Sequence, residues 1–440
     1  MKTLLIKGGR IIDPSREYDA QADLLVKDGL VEKVQKNIKS PSVAEVVEAS
    51  GLVVFPGLID MHVHLRDPGQ EYKEDIFSGA RAAAAGGYTA LAAMANTEPV
   101  ADDSSIIRYV KERAEGAAVR VYPIGALSKQ LEGKEMAEIG RMKKFGAVAF
   151  SDDGKPVVNS MLMRNALHYA MGIDALIIVH EEDPYLFAGG AMHEGSVSSI
   201  LGLRGIPAAA EEAMLARDLL LLKESGGRLH VAHVSTAGSV EMLRRAKGEG
   251  LQVSAEVTPH HLLLSDRAVK NTGYHTHTKV NPPLRSEEDR QALWEGLLDG
   301  TIDAIASDHA PHHPDDKDVE YDFAPFGIAG LETTLPLMLD QLSSGRVKGL
   351  TLSLLAERMS TAPARILGIE GGTLEEGKPA DITIIDPEKS HTVNPGNWYS
   401  KSRNTPFAGR QLRGAPVCTI VDGRVVMKEG AVFEERKRVG

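Results

Sequence analysis

The stretch Pro56-Gly-Leu-Ile-Asp-Met-His-Val-His-Leu-Arg-Asp-Pro-Gly69 sets two imidazoles one residue apart at the end of an apolar run. In an extended strand, side chains i and i+2 point the same way, so His62 and His64 can reach one metal ion together. Leu58 and Ile59 read as buried strand residues, and Arg66, Asp67, Pro68 and Gly69 as the polar loop that follows. The pair therefore ends a strand, which is where barrel enzymes carry their chemistry. An isolated His-x-His is more often a surface or core pair, and the chain has a second one at His275 and His277. That copy lies in Asn271-Thr-Gly-Tyr-His-Thr-His-Thr278, which lacks an apolar run and reads as a loop. The first pair is the candidate ligand set.

Outward from this stretch, β-rich runs alternate with alanine- and leucine-rich helical stretches. Eight strands are expected, at 58–64, 88–94, 119–124, 147–151, 175–180, 228–234, 252–257 and 304–307. Eight β/α units in one domain predict an α/β fold, a closed (β/α)8 TIM barrel of parallel strands. The first fifty residues instead hold short strand-like pieces at 4–9, 22–29 and 46–51, and the far end repeats the style at 380–386, 417–423 and 424–430. The two termini are expected to pair into a small β-sandwich. The chain then divides into a composite terminal domain, 1–55 with 366–440, and a metal-dependent catalytic barrel over 56–365.

Polar residues at the strand ends turn the pair into a set. His180 closes Ala175-Leu-Ile-Ile-Val-His180, His233 closes Leu229-His-Val-Ala-His233, and Asp308 closes Ala304-Ile-Ala-Ser-Asp308. One such histidine is usually a hydrogen-bonded structural residue, but imidazoles and carboxylates ending four strands are not explained by packing. They predict a metal site. The fourth strand runs into Ala149-Phe-Ser-Asp-Asp-Gly154, where Asp152 or Asp153 is placed to bridge; spacing does not choose between them. His230 lies three residues before His233, so strand alternation sends it to the opposite side of the sheet, toward a helix, as a structural residue. His260 and His261 follow the seventh strand, and adjacency turns only one of them toward the barrel mouth. Imidazole mixed with hard oxygen donors favours Zn2+, with Mn2+ or Co2+ able to substitute. A carboxylate bridging two ions implies a hydroxide held between them, and with it hydrolytic amide chemistry.

Composition bounds the partners. The 440 residues carry a formal net charge of -11 and are 42% hydrophobic, with Lys and Arg scattered among acids, so a small-molecule substrate is expected and neither nucleic acid nor a membrane. Cys418 is the only cysteine, which excludes an internal disulfide and a cysteine-rich zinc module and fits the reducing cytoplasm. The opening Met1-Lys-Thr-Leu-Leu-Ile-Lys-Gly-Gly9 is too short an apolar run for a signal peptide.

Several longer motifs resemble the amidohydrolase superfamily and, within it, the dihydroorotases of the bacterial long-chain type. They are Asp60-Met-His-Val-His-Leu-Arg-Asp-Pro-Gly-Gln70, Asn96-Thr-Glu-Pro99, Ser151-Asp-Asp-Gly154, Lys279-Val-Asn-Pro-Pro-Leu-Arg285, Ser307-Asp-His-Ala-Pro-His312 and Pro325-Phe-Gly-Ile-Ala-Gly-Leu-Glu332. The resemblance covers essentially the whole chain. It implies one or two Zn2+ per chain, with His62 and His64 on one ion, His180 and His233 on the other, and Asp153 bridging. It implies that Asp308 contacts the first ion and shuttles the proton. Arg66, Asn96 and His312 would hold a substrate carboxylate, while Asn281 and the backbone at Phe326 and Gly327 face a pyrimidine ring. The implied reaction is the reversible, zinc-dependent cyclisation of N-carbamoyl-L-aspartate to L-dihydroorotate and water, in pyrimidine biosynthesis. By itself Arg66 would read as a solvated loop charge.

The chain departs from its relatives at two places. Many bridge their metals with a carboxylated lysine, whereas Asp153 takes that place here and Lys155 lies beyond Gly154. Relatives commonly have Pro where Ala95 precedes Asn96, and loss of the fixed φ is expected to loosen that loop. Two other readings compete: another cyclic amidase such as allantoinase or dihydropyrimidinase, and a non-catalytic partner of aspartate transcarbamoylase. The complete ligand set opposes the second, although a catalytic subunit can still bind that transcarbamoylase. A two-fold homodimer is the default expectation. Residues 154–160 and 311–325, rich in Asp, Gly and Pro, are candidates for loops that close over substrate.

Overall fold

Eight parallel strands form the central sheet: Leu58–Val63 (β1), Tyr88–Ala93 (β2), Arg120–Gly125 (β3), Ala149–Ser151 (β4), Leu176–Val179 (β5), Arg228–Val231 (β6), Val253–Val257 (β7) and Ala304–Ile305 (β8). They are taken from a computed structural model that describes residues 3–41 and 44–433; residues 1–2, 42–43 and 434–440 of the terminal ranges lie outside the described residues. The strands pair in chain order from β1 to β8. The ring closes just past β8, where the His64 N–H donates to the His309 carbonyl at 2.9 Å and Val63 bridges His309 in parallel. This is the expected (β/α)8 barrel.

The strands are largely buried on both faces because helices cover the outside and side chains fill the inside. Leu91, Val121, Ile177, Leu229, Val231, Val253 and Ile305 belong to the outer, helix-facing core. Ile59, Met61, Ala90, Ala92, Ile124, Leu176, Ile178, Ala232 and Ala304 fill the interior. Two irregularities decide what reaches the rim. The register of β1 against β2 shifts between Asp60 and Val63, so Met61 and His62 both turn inward. At β6 the regular strand stops at Val231, and His233 adopts a left-handed backbone, φ 33°.

The second irregularity corrects one expectation. His230 does not face a helix: it points into the barrel between Leu229 and Val231, with Nδ1 2.8 Å from Ser254 Oγ and Nε2 3.2 Å from Glu256 Oε2. Alternation carried across His233 would put the two histidines on opposite faces, but the backbone turn at His233 brings both to one side.

The two termini join in a continuous nine-stranded sheet. Its seam is antiparallel: Val53–Pro56 pairs with Ile382–Thr392, setting Val54 opposite Ile384. Leu4, Ile6, Leu24, Ile382, Ile384 and Ile420 lie in one apolar cluster separate from the barrel cores. Between Ile382–Thr392 and Gln411–Val421 the chain leaves this sheet and packs against the barrel mouth, where the Ala329 N–H donates to the Asn404 carbonyl at 2.9 Å. Among the described residues no helix is long and apolar enough to cross a membrane.

Candidate active site

Asp153, in the turn after β4, sits at the centre of the barrel mouth. Its Oδ2 lies 3.4 Å from His62 Nε2 and 3.5 Å from His64 Nε2, both from β1 and its end. Its Oδ1 lies 3.4 Å from His180 Nδ1 and 3.2 Å from His233 Nε2, from the ends of β5 and β6. Asp308 approaches from β8, with Oδ1 3.2 Å from His64 Nε2 and 3.5 Å from His62 Nε2. Asp152 is elsewhere: its carboxylate accepts from the backbone N–H groups of Leu127 and Ser128 at 2.9 and 2.8 Å. The structure thus separates the two acids that spacing left open.

Two groups, His62–His64–Asp153 and Asp153–His180–His233, have the geometry to hold a metal ion, sharing one carboxylate. The hydrogen bonds behind the rings fit this. His62 Nδ1 is 2.6 Å from Glu256 Oε1 and His64 Nδ1 is 2.9 Å from Asn96 Oδ1. Each acceptor favours a proton on Nδ1, which would free Nε2 for a cation held against the Asp153 carboxylate. Among the described residues the buried His62 Nε2 has no hydrogen-bond partner of its own. His180 Nδ1 and His233 Nε2 face each other at 3.0 Å, an arrangement that needs a shared proton or a cation.

Electrostatics point the same way. Burial disfavours charge on every group here, yet the facing histidines, His62 foremost, hold the Asp153 carboxyl well below its usual range. Burial likewise pulls His180 down, but Asp153 and Glu182 outweigh it and raise the imidazole to about 10. The cluster attracts positive charge, which a cation bound there would supply by displacing protons. Burial raises the Asp308 carboxyl, but the His64 hydrogen bond and the charges of neighbouring imidazoles keep it below the ordinary carboxylate range. It is ionised at neutral pH.

Above the cluster, a cavity of about 410 Å³ is lined by His64, Arg66, Asn96, Asp153, His180, His233, Asn281, Asp308, His312, Phe326 and Gly327. All the expected site residues line it except His62, which forms the buried floor. Arg66 has a left-handed backbone, φ 60°, and its Nε donates to the Pro311 carbonyl at 3.3 Å. Among the described residues no carboxylate lies within ion-pair distance of it, and its side chain lines the cavity. Asn96 follows Ala95, whose carbonyl accepts from the N–H groups of Thr97 and Ala101 at 2.9 and 3.0 Å. Asn281 donates to Glu182 Oε2 at 2.7 Å, leaving its Oδ1 as an acceptor. His312 Nε2 lies 2.8 Å from the Phe326 carbonyl; burial and the Arg66 and Lys317 charges pull this imidazole down to about 2, so it is neutral.

Sequence reading missed Glu256. It accepts from His62, from His230 and, at 3.4 Å, from the His233 backbone N–H, linking both halves of the cluster from below. The available signal was an acid inside the apolar run Val253-Ser-Ala-Glu-Val257, since a buried carboxylate needs partners. His260 and His261 sit on the helix Pro259–Leu263, not on an extension of the strand. His261 is a tie, Nδ1 to Thr258 Oγ1 at 2.8 Å and Nε2 to the Pro282 carbonyl at 2.9 Å. His275 and His277 flank a tight turn away from the cluster, with His275 Nδ1 accepting from the His277 N–H.

Known proteins match this chain closely. A family model described as Dihydro-orotase-like matches residues 51–239, and one described as Amidohydrolase family matches 339–427. Dihydroorotase of Pelotomaculum thermopropionicum is 55% identical over 429 residues, 98% of this chain and 99% of that protein. Dihydroorotase of Syntrophus aciditrophicus is 52% identical over 97% of this chain and 99% of its own. Among solved structures, the L-hydantoinase (dihydropyrimidinase) of Arthrobacter aurescens superposes with a TM-score of 0.89 at 30% identity, covering 99% of this chain and 98% of that one. The dihydropyrimidinase of Brevibacillus agri, 22% identical with a TM-score of 0.84, shares the fold. With relatives at half identity or better along nearly its full length, this chain belongs to the dihydroorotase family of amidohydrolases.

Proposed function

We propose that the enzyme interconverts L-dihydroorotate and N-carbamoyl-L-aspartate, the ring-closing step on the way to pyrimidines. The observation that carries this reading is one cavity in which an unpaired guanidinium and two amides face a carboxylate-centred histidine cluster. In the proposed site one or two divalent ions would be held, His62 and His64 serving one, His180 and His233 the other, with Asp153 shared between them and Asp308 beside the first. Imidazole and carboxylate donors without thiolate suit Zn2+. When bound, such ions supply Lewis-acid polarisation of the amide carbonyl and an acidified water.

The chain's own residues do the rest. Arg66 presents a two-pronged donor to the ring carboxylate, and Asn96, whose Oδ1 is occupied by His64, turns its amide N–H groups to the same anion. Asn281 Oδ1 accepts from the ring imide N–H, since its Nδ2 is committed to Glu182. In hydrolysis the water oxygen bonds to the ring carbonyl carbon and the carbon–nitrogen bond breaks. Asp308 accepts the proton released by the water and delivers it to the departing nitrogen, which becomes the carbamoyl amide. Cyclisation runs the same transfers backward and releases water. Residues 154–160 and 311–325, of which Gly154, Lys155, His312 and Pro325 line the cavity, would close over the ring.

A homodimer, association with aspartate transcarbamoylase and a cytoplasmic setting belong to the same proposal. The deciding experiment is turnover by zinc-loaded protein of L-dihydroorotate beside dihydrouracil and allantoin. Turnover of dihydroorotate alone is expected; preference for a ring without the carboxylate would refute the role given to Arg66 and Asn96.

A further inference from the structure

The cavity wall that carries His312, Phe326 and Gly327 is held from behind by residues 400–405, which arrive from the terminal sheet. Asn404 is 2% exposed, and its side-chain amide is fully used. Nδ2 donates to the Ala310 carbonyl at 3.1 Å and to the Gly327 carbonyl at 2.9 Å. Oδ1 accepts from the His312 backbone N–H at 3.3 Å and from the Ser402 hydroxyl, whose oxygen also accepts from that N–H at 3.2 Å. One amide therefore ties three backbone points, two flanking the start of the His312 loop and one at its far end.

The spacing it sets is at contact distance. A Cβ on Gly327, at φ 144°, would lie 2.7 Å from the Ala310 carbonyl oxygen and 2.9 Å from His312 Nε2. Nothing larger than hydrogen fits at Gly327 between the two segments of this wall, so a small shift in either moves the His312 ring and the Phe326 carbonyl it binds. Two donors and an acceptor are required at one point, and only a carboxamide of this length offers both. An aspartate there would turn oxygen lone pairs toward two carbonyl oxygens.

We infer that Asn404 is a positioning residue for substrate recognition: it fixes His312 against the Phe326–Gly327 backbone and so sets the affinity for the carboxylated ring, without touching the metal cluster or Asp308. The inference rests on the reading that His312 and residues 326–327 contact substrate. It makes the C-terminal segment part of the substrate site.

The test is Asn404→Asp in the zinc-loaded full chain, read as KM for dihydroorotate, competitive inhibition by orotate, kcat and metal content. KM and the orotate inhibition constant are expected to rise about tenfold or more, equivalent to about 1.4 kcal/mol, with kcat within about threefold and metal content unchanged. Unchanged orotate inhibition, or a fall confined to kcat with loss of metal, would overturn it. His312→Ala is the control for the underlying reading: if it too leaves orotate inhibition unchanged, the substrate role of His312 has failed. If it weakens orotate while Asn404→Asp does not, the positioning role alone has failed. Should Asn404→Asp not fold, Ser402→Ala carries the test, because it removes the hydroxyl between Asn404 Oδ1 and the His312 N–H. A severalfold rise in the orotate constant is expected, and no rise refutes the inference.

Discussion

The floor of the cavity and its wall are built on different principles. On the floor, His62, His180, His233 and Asp308 each come from a strand end or just beyond it, and the barrel's parallel pairing fixes their separation. On the wall, His312, Phe326 and Gly327 lie in irregular chain whose shape depends on partners far away in sequence, such as Asn404, 94 residues beyond Ala310. The floor is rigid by virtue of the sheet, and the wall by virtue of what is packed behind it. Chemistry and substrate choice should therefore separate under mutation.

Asp153→Ala tests the floor hardest, because both halves of the cluster converge on that one carboxylate. Turnover should fall on the order of a thousandfold or more, with metal content measured by elemental analysis dropping below that of the parent. Asp308→Asn should cost roughly 10²- to 10⁴-fold in kcat while metal content and KM stay near the parent values. Near-native turnover of that variant would remove Asp308 from proton transfer. One layer down, Glu256→Gln should keep the fold and weaken metal retention against a chelator by about 10- to 100-fold. If it instead raised KM and left metal retention alone, floor and wall would not be separate. On the wall side, Arg66→Lys keeps the charge but loses the two-pronged donor, so KM for dihydroorotate should rise about tenfold with metal content intact.

The same division explains what the sequence discloses. His62, His64, His180, His233 and Asp308 are legible because each ends an apolar run, a local pattern. Asp153 is not distinguishable from Asp152 by any local rule; what separates them is that Leu127 and Ser128, from a different loop, capture Asp152. His230 misleads because strand alternation presumes a regular backbone, and His233 breaks it with a positive φ. The resemblance reaches His312 and Gly327 through their motif, but the residues that hold them do not show. Asn404 sits in Ser400-Lys-Ser-Arg-Asn-Thr405, a polar run without periodicity that reads as ordinary loop until the fold places it at the barrel mouth.

The attachment of that run supplies the smallest and most specific effect. Two carboxyls hold it, and their surroundings drive them apart. Glu74, fully buried, accepts from the hydroxyls of Ser78 and Ser400 and lies 3.3 Å from His309 Nε2. Burial pushes its carboxyl up, but His309 and these hydroxyls outweigh it and keep it ionised. Glu332 accepts from the backbone N–H groups of Tyr399 and Ser400 at 3.0 and 3.2 Å. Burial pushes its carboxyl up to about 8, the two N–H groups pull it back, and the nearby Glu74 charge adds to the rise. In the unfolded chain the same group titrates near 4.5. Between these values the folded protein holds a proton that the unfolded chain has released, so stability contributed by Glu332 is complete below the lower value and is lost as pH rises through about 8. Glu332→Gln keeps an acceptor for both N–H groups and cannot ionise. Its melting temperature should therefore fall less than the parent's between pH 6 and pH 8.5, with the gap closing toward acid pH. Parallel curves for the two proteins would mean that Glu332 is already ionised in the fold, and that the C-terminal run is held by two charges instead of one.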